Sequence, residues 1–451
     1  MATITYDSIQ VTGVKYKKIL SLKIEQCINE HGTAVIKGEL DRDTAEEDVA
    51  RMSVDNLIKI TSTAEGQPKC LFCGVIVNTK LNYEDAYATL ELTIISTSYL
   101  LDIAKNNRSF QNTSLCYGDI FLKMFGNSAQ IDMNVTDKSI GKIVMQYNET
   151  DWEFIQRVAS KFGVVVIVDV ISDTPRVTIG LPTKTRKVAI KSITGKVTLE
   201  NSNNMKIDNS YTVSVGTSYE YGFIGDMFGN EGTIIASETQ LVDGILKCIY
   251  QYSLEAVSKG YCEKKNTQMA GRMFQGKVEE VKEDKVRVHL MDIDGEFDSD
   301  SDYWFPYSTA YSSNDGSGFY CMPAKGDIVR IFFPTENEAD AFAASSVNVS
   351  PQENPLNKVW KNKDKEILLT PEGIKLSCGD ANVFISLDDK AGITMHSDNN
   401  INIISPKTIK IASDSNVEIE GKDEILLHTG ESFIDILPNG ISFGGEQMLI
   451  N

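Results

Sequence analysis

The sequence predicts a mainly β chain with a few helices, ending in a needle wound from several β strands. Three observations carry this. Apolar and polar residues alternate with period two through the first ~110 residues, short alternating strands with tight turns recur from Gly271, and apolar pairs two residues apart repeat every eight residues in the C-terminal region.

Taken in order, Leu20, Leu22 and Ile24 alternate with Ser21, Lys23 and Glu25, and after a turn at Asn29 to Gly32 the alternation resumes at Ala34, Ile36 and Leu40. That is the pattern of a half-buried hairpin. Around Asp119 to Phe125, Ile120, Phe121, Met124 and Phe125 fall at helical spacing, with Gly126 as the stop. A second helix is bounded on both sides: Thr150 and Glu153 form a T-x-x-E capping box, Trp152, Ile155, Ala159 and Phe162 share one face, and Gly163 ends it. A strand over Val164 to Val170 follows. A third helix is expected from Ser237 to about Tyr250, opened by an S-x-x-Q box at Ser237 and Gln240. The runs 276–281, 285–290 and 326–333 are short strands within ~75 residues, as in a small closed barrel. These readings divide the chain into a hub region (1–270), a barrel (271–348), a linker (349–365) containing Pro351 and Pro355, and an octad needle (366–451).

The octads are the most informative pattern. The pairs are Ile385/Leu387, Ile393/Met395, Ile401/Ile403, Ile409/Ile411, Val417/Ile419 and Ile425/Leu427, with Ile441/Phe443 still in phase. At Ile434/Ile436 the phase slips by one residue. No helix has this period. Two inward side chains per octad are too few to close a core in one chain, so the expectation is a homotrimer whose strands pair between copies, the alternative being a single-chain β-helix.

Composition excludes several classes. With 44 Lys+Arg against 63 Asp+Glu the formal charge is −19, which repels phosphate backbones and anionic membrane surfaces, so no nucleic acid is expected as a partner. No apolar run approaches a membrane span, and the start lacks the basic and apolar regions of a signal peptide, so synthesis in the cytoplasm is expected. Of the eight cysteines only Cys70 and Cys73 form a C-x-x-C, without a second ligand pair or a helix-opening context; ordinary reduced cysteines are expected.

The segment Gln146-Tyr-Asn-Glu-Thr-Asp-Trp-Glu-Phe-Ile-Gln-Arg157, with Lys161-Phe-Gly163 after it, resembles the Q-Y-x-E-T/S-D-x-x-F-x-x-R element of VgrG-type spike proteins and their phage tail-hub relatives. Arg108-Ser-Phe-Gln111 resembles the R-x-F-Q element of the same family. The stretch Gly271 to Val281, Trp304-Phe-Pro306, Gly318 to Pro323 and Gly326-Asp327 resemble its OB-fold module, and the octads its triple-stranded β-helix. The resemblance implies a homotrimeric hub and spike at the tip of a contractile injection machine: a phage tail, a tail-like bacteriocin, an extracellular particle or a type VI secretion system. It further implies two tube-like β-barrel domains in the hub, which would present six barrels per trimer to a hexameric inner tube or its initiator. Other baseplate proteins, and a tip protein or effector, are the remaining partners it implies. Trp152, Phe154 and Arg157 are the hub-motif residues it singles out.

An enzyme is not expected. About 18 residues, roughly 348 to 365, separate barrel and needle, and the chain stops in octad phase, far short of the ~50 residues of a small domain. The four histidines are scattered: His31 in the hairpin turn, His289 in a barrel strand, and His396 and His428 on the outward phase of the octads. The tip H-x-H through which some relatives hold iron does not occur, so neither metal nor cofactor is expected. The carboxylates from Asp292 to Asp302 alternate along one face of an extended chain; a solvated loop is the expectation, calcium binding the alternative. Gly222, Gly225 and Gly229, and Gly316 and Gly318, match no phosphate-binding loop and read as turn glycines. The function expected is therefore mechanical, with two alternatives. One is a secretion spike carrying an effector non-covalently; the other is a β-helical protein that binds or depolymerises polysaccharide.

Overall fold

The computed structural model describes residues 4–447, apart from 51, 53–55, 65, 182–187, 190–196, 201–209, 216–223, 228–229, 254–261, 349, 351–352 and 380–381. It is mainly β, and it divides into two compact units, Met1–Val349 and Ser350–Asn451. Gly222 and Gly229 lie outside the described residues, whereas Gly225 lies in the strand Ile224–Met227.

In the first unit a long sheet places neighbours in the order Ile9–Val11, Leu57–Ser62, Lys69–Tyr83, Ala88–Ser96, Thr33–Leu40 and Lys18–Cys27. It then continues through Asn230–Val242, Ile245–Ser253, Ser210–Val215 and Val197–Glu200, so the two groups of hub strands share one sheet. The expected hairpin is there, pairing Leu22 with Ile36 and Ile24 with Ala34. A bulge between Ile19 and Ser21 shifts its phase, however: Ile19, Leu22 and Ile24 are buried while Leu20 faces out. One extra residue in the strand defeats a strict period-two reading.

The third helix does not form. Residues 230–242 and 245–253 are an antiparallel hairpin, in which Ser237 and Gln240 sit opposite Tyr250 and Lys247. Its turn is Asp243-Gly244, both residues at positive φ (53° and 77°), the backbone that a two-residue hairpin turn requires and that Asp-Gly supplies. That local turn chemistry, with β-branched Ile234, Ile235 and Val242 around it, outweighs an S-x-x-Q box.

The described residues contain three α-helices: Ala45–Ala50, Tyr117–Phe125 and Asp151–Lys161. The second starts two residues before the expected one and stops at Gly126 in the left-handed region. Asp151–Lys161 carries the capping box as read: Glu153 N–H donates to Thr150 Oγ1 at 3.1 Å, and Thr150 N–H donates to Glu153 Oε2 at 2.8 Å. The following strand is shorter than expected, Val166–Val168, and pairs with Arg176–Ile179.

Five strands, Arg272–Lys282, Lys285–Leu290, Phe305–Ser308, Ile328–Phe333 and Phe342–Ser346, close into a small barrel. Its core of Val278, Val288, Leu290, Phe305 and Ile331 is continuous with Ile143 and Met145 of the hub, which places a hub strand against the barrel.

The second unit contains two antiparallel meanders. The first has the strands Lys358–Asn362, Lys365–Leu369, Gly373–Cys378, Val383–Asp388 and Gly392–Ser397, and so begins inside the stretch read as linker. The second has Ile425–Thr429, Ser432–Leu437 and Gly440–Gly444. Between them, no β-ladder pairs any residue from 399 to 424 with another described residue.

Candidate assembly sites: the hub corner and the octad segment

Each polar residue of the corner Gln146 to Arg157 is tied into the chain. Gln146 donates to Glu149 O at 3.1 Å and to Asp151 Oδ1 at 2.9 Å, while Arg108 donates to Gln146 Oε1 at 2.6 Å and to Asp151 Oδ1 at 2.5 Å. This joins the R-x-F-Q strand to the corner. Asn148 takes a left-handed turn with φ 49°, its N–H held by Asn107 Oδ1 at 2.8 Å. Trp152 is buried and its ring lies against His31, 4.3 Å between centroids; Phe154 is fully buried and stacks on Phe110 at 5.9 Å. Both residues therefore build the hub core.

Arg157 is 3% exposed and bridges hub and barrel. Its Nε and Nη2 donate to the two carboxylate oxygens of Glu149 at 2.7 and 2.8 Å, its Nη1 donates to Glu338 Oε1 at 2.9 Å, and Nη2 also reaches Met145 O. Glu338 lies in the barrel's Glu338–Asp340 turn of helix. Burial alone would lower the Arg157 pKa, but the bonds and charges of the two glutamates reverse that and leave it raised. Burial pushes the Glu149 carboxyl up, against the pull of Arg157. One cation against two carboxylates in a dry site is a tightly constrained joint, since removing the cation strands both acids.

The alternating carboxylates lie in a loop that is exposed as expected, with only Asp294 among them partly buried, and some of them tie that loop to the hub. Asp294 accepts from Ser109 N–H at 2.8 Å and from Ser109 Oγ at 2.5 Å, and Asp302 accepts from Thr113 N–H at 2.7 Å and Thr113 Oγ1 at 3.0 Å. The N–H groups of Asp302 and Tyr303 both donate to Gln111 O at 3.1 Å, and Lys123 pairs with Asp298 at 3.3 Å. Burial raises the Asp294 pKa, with the Ser109 bonds opposing it. The Ser109 and Thr113 partners lie more than 180 residues away in sequence, and no local pattern announces them. Among the described residues no group of three or more His, Cys, Asp or Glu side chains is arranged to hold a metal ion.

His31 is half-buried in its hairpin turn, with Nδ1 2.7 Å from Ser98 Oγ and Nε2 3.4 Å from Asp102 Oδ2. A Ser, a His and an Asp thus meet, but Ser98 is fully buried and has no path to a substrate. Asp102 also accepts from Thr150 Oγ1 at 2.5 Å, so the cluster braces the cap of the Asp151–Lys161 helix. His289 is spent on Asp294 O at 3.0 Å. Cys73 is buried and Cys70 half-buried, and all eight cysteines are free thiols.

In the second unit the octad residues carry two kinds of backbone. Ile385, Leu387, Ile393 and Met395 lie in the first meander, where Ile385 faces Met395 and Leu387 faces Ile393 across the ladder. With Ile374, Leu376, Ile367 and Leu369 they make one apolar sheet face, all of it open or partly open in the single chain. His396 is on the opposite face, its ring stacked on Phe384 at 5.2 Å. Ile425 and Leu427 lie in the second meander, paired with Ile436 and Ile434, which in turn pair with Ile441 and Phe443. The slipped pair 434/436 therefore shares the face of its neighbours: the hairpin turn absorbs the phase change.

Ile401, Ile403, Ile409, Ile411, Val417 and Ile419 occupy the unpaired segment and are each at least half exposed, Ile411 at 71%. The chain bends at eight-residue intervals there. Ser397 Oγ accepts from Asn399 N–H, Ser405 Oγ from Lys407 N–H and Ser413 Oγ from Ser415 N–H, at 3.0 to 3.2 Å. Gly421 stands at the next corner, where a Cβ would meet Glu424 O at 2.6 Å. Serine corners at octad spacing are a signal the apolar count passed over.

Residues 38–187 match the family model of the phage tail baseplate hub (GPD). No curated protein matches the chain. Among solved structures, the E. coli c3393 protein, a component of the type VI secretion system with structural similarity to the T4 bacteriophage tail proteins gp27 and gp5, aligns with a TM-score of 0.55 at 15% identity over 75% of this chain and 99% of its own. A chain of the Francisella PdpA-VgrG complex aligns with a TM-score of 0.52 at 10% identity over 88% of each chain. At such identities the likeness is one of fold. Residues 38–187 are thus similar to the phage tail baseplate hub family, and the chain shares the mainly β fold of the c3393 and PdpA-VgrG structures.

Proposed function

We propose that the chain is the structural, non-enzymatic hub-spike of a contractile injection machine. It joins an inner tube to a needle and acts as a homotrimer in the baseplate of a phage tail or tail-like particle. The observation that carries the reading is the segment 399–424: extended octads with serine corners, no ladder partner among the described residues, and apolar pairs exposed in one chain. Backbone N–H and C=O groups beside apolar side chains call for partners, and identical octads from other copies supply both the ladder and the core. The hub would meet a hexameric tube or its initiator and other baseplate proteins. A second reading, a secretion spike that carries an effector or tip protein, takes support from the Francisella structure, in which a VgrG is in complex with PdpA.

The test compares two neighbours. In a monomer Ile411 is 71% exposed, so Ile411→Asp would change stability by about 0.5 kcal/mol or less, like Lys410→Asp. In a trimer Ile411→Asp buries three like charges around one axis and costs several kcal/mol per trimer. Sedimentation should give three chains for the wild type and Lys410→Asp, and dissociation for Ile411→Asp. Equal behaviour of the two variants would overturn the assignment of inward and outward positions.

A further inference from the structure

Repeated octads carry a register problem. Ile401/Ile403, Ile409/Ile411 and Val417/Ile419 present the same pattern, so sliding one copy past another by eight residues keeps every apolar pair matched. The segment holds no device of its own against that slip. The sheet Ile425–Gly444, like the sheet Lys358–Ser397 that precedes the segment, has its strands already paired within the chain and so lacks the octads' freedom to slip.

We propose, resting on the trimer reading above, that this sheet is a register clamp, and that its occupant is the same sheet of two further copies. Its face of Ile425, Leu427, Ile434, Ile436, Ile441 and Phe443 is uniformly apolar and open to a greater or lesser degree. The only formally charged residues of 425–444 are Glu431 and Asp435, in a chain of net charge −19. Glu431 lies in the turn and Asp435 on the opposite face. A partner of opposite charge has nothing to recognise, while identical copies meet without repulsion. The six side chains offer on the order of 500 Å² per copy, less than the ~800 Å² per partner of a stable interface. The clamp therefore works only joined to the octads, aligning copies that the octads then bind.

The experiment uses the full chain and hydrogen exchange of residues 399–424, with mass measured in parallel. Ile436→Lys should lower octad protection at least tenfold, and Ser442→Lys, on the other face, should leave it at the wild-type level. Because Ile436→Lys also endangers the sheet itself, a second variant replaces residues 425–447 with an unrelated parallel trimeric coiled coil, which should restore protection. Unchanged octad protection in Ile436→Lys, or no rescue by the coiled coil, overturns the clamp while leaving the trimer standing. A wild-type chain that sediments as a monomer overturns the trimer reading and the clamp with it. A trimer whose 425–444 face stays as open to exchange as a free sheet would show that a different protein covers it, and also overturns the clamp.

Discussion

Arg157→Met isolates the joint between hub and barrel. The substitution keeps much of the volume, removes the cation, and leaves Glu149 and Glu338, 7% and 6% exposed, facing each other without it. It deletes a bidentate pair at 2.7 and 2.8 Å and a second ion pair at 2.9 Å. Breaking a buried ion pair by removing one partner costs about 3–5 kcal/mol, most of it the stranded charge. The triple variant Arg157→Met, Glu149→Gln, Glu338→Gln strands no charge and should recover the larger part of that loss. Urea unfolding of the full chain, followed by tryptophan fluorescence, measures both variants. A loss below about 1 kcal/mol for Arg157→Met, or no recovery in the triple variant, would refute the claim that the arginine is a dry link between the two parts.

Trp152→Ala should cost about 3–5 kcal/mol, since the ring is buried against His31 and the hub core; a loss under about 1 kcal/mol would mean that the ring serves a partner instead. Burial lowers the His31 pKa below its ordinary 6.5, so the unfolded chain takes up the proton first. Stability contributed by neutral His31 is complete above that value and is lost as pH falls from about 6.5 toward the lowered folded value; His31→Gln should flatten this part of the urea-midpoint profile. Asp302→Ala removes two acceptors from Thr113 and should loosen the barrel loop, read as faster exchange of the Thr113 and Tyr303 amides with the octads unaffected.

What was legible in the sequence was local. Thr150, Glu153 and Gly163 specify a helix from signals within one turn of its ends, and the helix forms between them. Asp243-Gly244 was equally local, but the S-x-x-Q box beside it competed for the same residues, and a turn that demands two positive φ angles is the stronger constraint. The Ile19 bulge and the Asp294 and Asp302 joints were not legible, because each depends on a partner strand or segment that periodicity does not reveal. Arg157 was singled out through a resemblance; its partner Glu338, 181 residues on, carried no signal at all. The octad count placed the apolar positions but not their backbone, which is laddered at 385–395 and 425–443 and unladdered between.

That division separates what the two regions ask of the chain. At the hub corner every polar group is answered from within: Gln146, Glu149, Asp151 and Arg157 satisfy one another, and the residues that do so are buried or half-buried. Substitutions there act on the stability of a single chain and are independent of concentration. In residues 399–424 the apolar side chains and the extended backbone are exposed in the single chain, so a substitution there has almost nothing to destabilise until another copy arrives. On the trimer reading, its effect therefore appears as a shift in association that grows on dilution. The same loss of free energy is thus read in different experiments at the two sites. A hub defect lowers the urea midpoint at any protein concentration, and an octad defect lowers it only where copies are scarce.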